Sequence, residues 1–214
     1  MLVVALGGET GHEQDGDPAR MRITGRDGAG DMQRIMLIRH AEKHLDGSPD
    51  RSVAPDGSQE KHHLTVRGWL RAGALVRYFA PAGGLPAGSP ISTPASIFAS
   101  AATPKSPSLR AQHTVEPLAE LLGIEINRDY ADGEEKALAP AVLAAKGPVL
   151  ISWHHSHLIR LTVYLAGPDV PCPRDWPDDR FDIVWILDRH GPAAPWRFSQ
   201  VAQQLFAYDR PEPI

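Results

Sequence analysis

The chain has very little cysteine. Cys172 is alone among 214 residues, so no internal disulfide can form, and its Pro-Cys-Pro setting offers no second thiol for a metal pair. That excludes a disulfide scaffold and suits a reducing compartment. Long apolar runs are also absent: nothing approaches the roughly 20 residues that a membrane helix needs, so the sequence does not read as an integral membrane protein. The apolar opening, MLVVALGG, lacks a basic start and runs into glycines and acids, unlike a signal peptide. A cytoplasmic protein is therefore expected. Any excess of one sign of charge is small too. The formal net charge is −4, which gives no basic face to release counterions from a phosphate backbone and so argues against nucleic-acid binding.

What is present matches an ordinary globular protein, with 42% hydrophobic and 22% charged residues. The length suits one core of normal size. Residues 1–31 carry six acids, three arginines and several glycines without sustained periodicity, and read as a flexible tail. The expected organisation is thus a tail over 1–31 and a single domain over 32–214.

The pattern sharpens at Arg34-Ile35-Met36-Leu37-Ile38-Arg39-His40, a short apolar run ending in charge, as for a buried central strand. Residues 41–63 form a polar, turn-rich loop. Thr65 is placed to cap a helix over 66–79, whose Val66, Trp69, Leu70, Gly73 and Ala74 recur at helical spacing. On that phase Trp69 and Leu70 are core, and Arg67, Arg71 and Arg77 form a solvated face. Further strands are expected at 96–99, 124–126 and 149–153, with helices at about 108–122, 134–146 and 158–165. Candidate strands at 181–187 and 196–201 read as an antiparallel edge or hairpin. Strands alternating with helices imply right-handed crossovers and a three-layer α/β/α sandwich around a mainly parallel sheet.

Ligands of open α/β sheets bind outside the carboxyl ends of the strands. Two of the strongest strands end there in histidine, Arg39-His40 and Trp153-His154-His155, and a third leads to Ser108-Leu109-Arg110. Guanidinium forks bind phosphate oxygens in pairs, and a neutral imidazole can attack phosphorus and later leave as a neutral amine without any metal. The histidines alone would also allow a zinc reading. No His-Glu-x-x-His helix supports it, neighbouring arginines would repel a cation, and no Gly-x-Ser-x-Gly turn suggests a serine hydrolase. No metal and no cofactor are expected.

Four ordered segments carry a resemblance. Leu37-Ile38-Arg39-His40-Ala41-Glu42-Lys43 resembles the signature of the histidine phosphatase (phosphoglycerate mutase-like) superfamily, in an Arg-His-Ala-Glu-Lys variant. Leu64-Thr65-Val66-Arg67-Gly68, Ile97-Phe98-Ala99-Ser100 with Ser108 to Thr114, and Val149 to Arg160 are similar to its later elements. The resemblance implies a phosphoglycerate mutase-like fold, phosphomonoester hydrolysis with His40 as the phosphorylated nucleophile, and Arg39 and Arg110 as phosphate ligands, with Lys43 as an added point charge. It also implies a second catalytic histidine. Aligning on Ile159-Arg160 selects His155, the preferred reading, whereas aligning on the strand selects His154.

Ser156 stands where one branch of the family has an aspartate proton donor. The acid is therefore expected at Glu134 or Glu135, with Glu42 as a rival. The expected substrate is a phosphorylated small molecule or a phosphoprotein. A mutase-type phosphotransferase is the alternative, ranked lower because no Glu-Ser follows the signature histidine, and a non-catalytic phosphate-binding regulator is another.

Overall fold

The computed structural model describes residues 32–214; the tail expected over 1–31 lies outside them. Six strands and four helices follow in the order β1 (Met32–Arg39), α1 (Val66–Phe79), β2 (Ser96–Ala99), α2 (Arg110–Leu122), β3 (Ile126–Asn127), α3 (Glu135–Ala144), β4 (Val149–Trp153), α4 (His155–Ala166), β5 (Ile183–His190) and β6 (Arg197–Ala202). They form one sheet of order β3-β2-β4-β1-β5-β6. The first four strands in that order run parallel, and β5 and β6 are antiparallel additions that begin beside β1. The sheet is mainly parallel, with helices on both faces, as expected for an α/β sandwich.

Alternation along the central strands divides their side chains between two cores. Ile35 and Leu37 of β1, Ile151 and Trp153 of β4, and Trp185 and Leu187 of β5 pack with Leu138, Val142, Leu158 and Leu161 from α3 and α4. Met36, Ile38, Leu150, Val184 and Ile186 face the other way, onto Leu75, Phe79, Val115 and Leu118 from α1 and α2. Because both faces are covered, the strands read as continuous apolar runs rather than alternating ones.

Thr65 caps α1 as expected, its hydroxyl accepting from Gly68 N at 3.2 Å. The buried face of that helix differs from the expected one. Gly68, Arg71, Ala72, Leu75 and Phe79 are buried, whereas Leu70 is 59% and Val66 60% exposed. The cause is Arg71, which is buried rather than solvated: its guanidinium meets Glu42 at 2.8 Å and Asp209 at 2.6 Å. A buried ion pair sits where the apolar pattern alone would not place it. Burial works against Arg71's charge, but the bonds to Asp209 and Glu42 outweigh it and raise its pKa.

Candidate active site

The register of the parallel strands assembles the site. Arg39 pairs with Trp153 and Ile38 with Ser152 across β1 and β4, and Ala99 of β2 pairs with the same Ser152. The three strands therefore end level, and the next residues of β1 and β4, His40 and His154, emerge side by side. Their ring centroids are 5.4 Å apart in an edge-to-face arrangement, and His40 N donates to Trp153 O at 3.0 Å.

His40 is buried. Its Nδ1 lies 2.8 Å from the Ala41 carbonyl oxygen, which can only accept, so Nδ1 carries the proton and Nε2 keeps its lone pair. Burial, then the charges of Arg39 and His154, push its pKa well below the ordinary value. The imidazole is thereby held neutral. The segment after it is pinned by Thr114 of α2, whose Oγ1 accepts from Ala41 N at 2.7 Å and donates to Arg110 O at 2.7 Å.

Arg39 is anchored on one side and open on the other. Nη1 donates to the carbonyls of Pro177, Asp178 and Arg180 at 3.2, 2.6 and 3.2 Å, and the guanidinium stacks 3.9 Å over the Phe181 ring. Its Nε and Nη2, the two donors of one fork edge, are buried without a hydrogen-bond partner among the described residues. Burial lowers its pKa to about 10, which still leaves it charged at neutral pH. Arg110, the first residue of α2, donates from Nε to His63 O at 3.2 Å and from Nη2 to Lys61 O. Lys43 is half-buried, its pKa lowered by burial and then by the charges of Arg39 and Arg110. Three cations thus act on one another around His40.

His154 precedes α4, whose first-turn N–H groups have no side-chain cap there, so the positive end of that helix lies beside His40. The Nε2 of His154 is buried and has no hydrogen-bond partner among the described residues. Burial lowers its pKa, and Asp132 is the first charge acting against that shift.

His154, not the preferred His155, is therefore the histidine brought to His40. His155 is already in the first turn of α4, and its Nε2 lies 2.8 Å from Asp178 Oδ1. Burial and then Arg39 push its pKa down to about 4.

The carboxylates expected as acids are engaged elsewhere. Glu134 is exposed and accepts from Ala131 N at 2.7 Å. Glu135 is fully buried, its Oε1 accepting from Gly133 N at 2.9 Å and Trp153 Nε1 at 3.0 Å. Burial opposes its charge, yet the bonds from Trp153 and Gly133 prevail and hold its pKa below the ordinary value, a poor state for a proton donor. Glu42 is held by Arg71. Asp132, whose charge is the first to act against the shift on His154, was not among the expected acids although it directly precedes Gly133-Glu134-Glu135.

A further group was not foreseen. Glu116 Oε2, His113 and His63 form a chain, with Nδ1 of His113 2.6 Å from the carboxylate and its Nε2 2.9 Å from His63 Nδ1. This chain ties the 52–65 loop to α2 next to the carbonyls that hold Arg110. A cleft of about 270 Å³, with Lys43, Arg67, Phe181 and Tyr208 in its walls, opens on the Lys43 side. Among the described residues, no helix is long and apolar enough to cross a membrane.

No family model and no curated protein matches the chain. Solved structures do. It is similar to a mycobacterial glucosyl-3-phosphoglycerate phosphatase complexed with VO3 (13% identity, TM-score 0.45, covering 78% of this chain and 96% of that one). It is also similar to an ecdysone phosphate phosphatase from Bombix mori in complex with tungstate (13%, TM-score 0.43, 78% and 92%). A protein described as mycobacterial hydrolase 1 is 14% identical, with a TM-score of 0.43 and coverage of 78% and 97%. Similarity at this level assigns no activity.

Proposed function

We propose that the chain is a phosphomonoester hydrolase of the histidine phosphatase superfamily, working through a phosphohistidine on His40. The observation that carries this reading is the set of enclosed, unsatisfied groups around a tautomer-fixed imidazole. Among the described residues the Arg39 fork edge and His154 Nε2 have no partner, while His40 Nδ1 is committed to Ala41 and its Nε2 is not. Buried polar groups are ordinarily paired, so unsatisfied donors on Arg39, next to His40 in the chain, and on His154, next to it in space, are suited to binding an anion. A phosphoryl group supplies the matching acceptor oxygens and charge.

In the first step His40 Nε2 attacks phosphorus and the bond to the leaving oxygen breaks. Arg39 binds two phosphoryl oxygens, Arg110 and Lys43 offset the remaining charge, and His154 donates from Nε2 to an oxygen of the transition state. Asp132 protonates the leaving oxygen. In the second step the Asp132 carboxylate takes a proton from water as its oxygen attacks the phosphohistidine, releasing phosphate and neutral His40. Hydrolysis is favoured over mutase chemistry, because Ala41-Glu42, and not Glu-Ser, follows His40.

The test is turnover of a phosphomonoester panel spanning good and poor leaving groups. His40→Ala abolishes hydrolysis of all of them. Asp132→Asn slows alkyl phosphates far more than p-nitrophenyl phosphate, whose leaving group departs without a proton. Hydrolysis that survives in His40→Ala would overturn the nucleophile, and equal slowing of both ester types would overturn Asp132 as the acid.

A further inference from the structure

Beside the histidine pair, where the β3–α3 loop meets the first turn of α4, three potential metal ligands converge. One atom from each of Asp132, Glu135 and His157 lies within 4.8 Å of the others. His157 Nδ1 is 2.9 Å from Glu135 Oε1 and 3.5 Å from Asp132 Oδ1. Neither approach is aligned as a hydrogen bond, and His157 Nδ1, Asp132 Oδ1 and Glu135 Oε2 are all buried without a hydrogen-bond partner among the described residues. Glu135 itself is fully buried, so its free oxygen cannot be satisfied by bulk water. Buried polar atoms are ordinarily paired, and here three unpaired ones from three residues share one enclosure.

The chemistry of the set narrows what it could bind. Two carboxylates and an imidazole suit a divalent ion that accepts mixed oxygen and nitrogen ligands, and among such ions the stability order favours zinc over manganese or magnesium. With ligand bonds of about 2.0–2.1 Å, tetrahedral ligands sit about 3.3 Å apart, and the 3.5 Å from His157 Nδ1 to Asp132 Oδ1 is close to that edge. The Trp153 and Gly133 bonds to Glu135 Oε1 would orient the ligating carboxylate from behind, as outer partners do at metal sites. A cation also approaches the cluster, Arg160, with Nη1 3.9 Å from Glu135 Oε2; at 58% exposed, its side chain has room to swing away.

We propose that Asp132, Glu135 and His157 form a binding site for one zinc-class divalent ion, and that the bound ion switches the enzyme off. The inhibitory half rests on the phosphatase reading above: an ion held by Asp132 removes the carboxylate that protonates the leaving group. The site is regulatory rather than catalytic, because the transfer to His40 needs no metal.

The test is zinc titration of the full chain by calorimetry in phosphate-free buffer, with hydrolysis followed in parallel. One ion binds per chain, and Glu135→Gln and His157→Gln each weaken binding by more than about 100-fold, at or beyond the loss seen when outer-shell partners are removed. Arg160→Gln tightens it, and provides a second reading if the buried Glu135 variant folds poorly. Zinc slows hydrolysis in the parent and not in His157→Gln. Absence of stoichiometric binding, or unchanged affinity in His157→Gln, overturns the site. Stoichiometric binding without any hydrolysis in the metal-free parent would retain the site and overturn the phosphatase reading alone.

Discussion

Gly68 stands in the first turn of α1, against the backbone that leaves His40. A Cβ added there would lie 2.4 Å from Glu42 O, 2.9 Å from Leu64 Cβ and 3.1 Å from Glu42 N, whereas ordinary contact begins at 3.4 Å. Two of these three neighbours are backbone atoms, so no side chain can simply rotate away. Gly68→Ala must therefore push the Glu42 peptide by about 1 Å, which disturbs the Thr65 bonds to Glu42 O at 2.9 and 3.2 Å. Overpacking of this kind costs about 1–3 kcal/mol. Because Glu42 is two residues from His40, the same shift misplaces the nucleophile, and a misplacement of about 1 Å can slow catalysis by about 100-fold.

Gly73 in the same helix is the internal control. It is exposed and its added Cβ meets nothing within 4 Å, so Gly73→Ala should stabilise by about 0.5–1 kcal/mol through helix propensity alone. Urea unfolding and turnover of both variants provide the comparison. Equal stability of the two variants, or full activity in Gly68→Ala, would refute the argument that close backbone packing at Gly68 sets the position of His40.

His154→Ala should lose about 100- to 1,000-fold in kcat, as expected for removal of one transition-state donor, whereas His155→Ala should lose far less; the reverse order in steady-state assays would restore the alignment on Ile159-Arg160. The native pKa values of His40, His154 and His155 are all depressed, the last to about 4. The unfolded chain, with histidines near about 6.5, then binds more protons as pH falls. Their contribution to stability is fully present above about pH 6.5 and is lost progressively on acidification toward pH 4, as urea midpoints across that range will show. Arg71→Met should destabilise by about 3–5 kcal/mol at neutral pH, because it leaves Glu42 and Asp209 enclosed without their counter-charge; an unchanged unfolding midpoint would contradict this.

The features legible in the sequence were those written in local pattern. The apolar runs of β1 and β4 show themselves as buried strands, Thr65 as a cap, and the β5–β6 pair as an antiparallel edge. Long-range partners were less visible. The phase of α1 is misread from composition because Arg71 is buried by Glu42 and by Asp209, the latter distant in the chain. The choice between His154 and His155 depends on where α4 begins, which the Ile159-Arg160 similarity points to one residue away from where strand register sets it. Glu135 has the right residue type for an acid, but the indole of Trp153 and the Gly133 amide claim its Oε1. The Glu116–His113–His63 chain joins α2 to a loop about 50 residues earlier, with only the i,i+3 spacing of His113 and Glu116 as a local sign.

The central claim is that a phosphoryl group passes through His40 Nε2, and trapping that intermediate tests it most directly. The chain is mixed with a fast-reacting aryl phosphate, quenched in alkali within the turnover time, and the phosphorylated residue located by mass spectrometry, with phosphorus NMR to distinguish the ring nitrogen. The account predicts an acid-labile phosphoryl group on His40 Nε2, absent from His40→Ala and accumulating no slower than turnover. Hydrolysis without such an intermediate, a label on another residue, or a label on Nδ1 would contradict it.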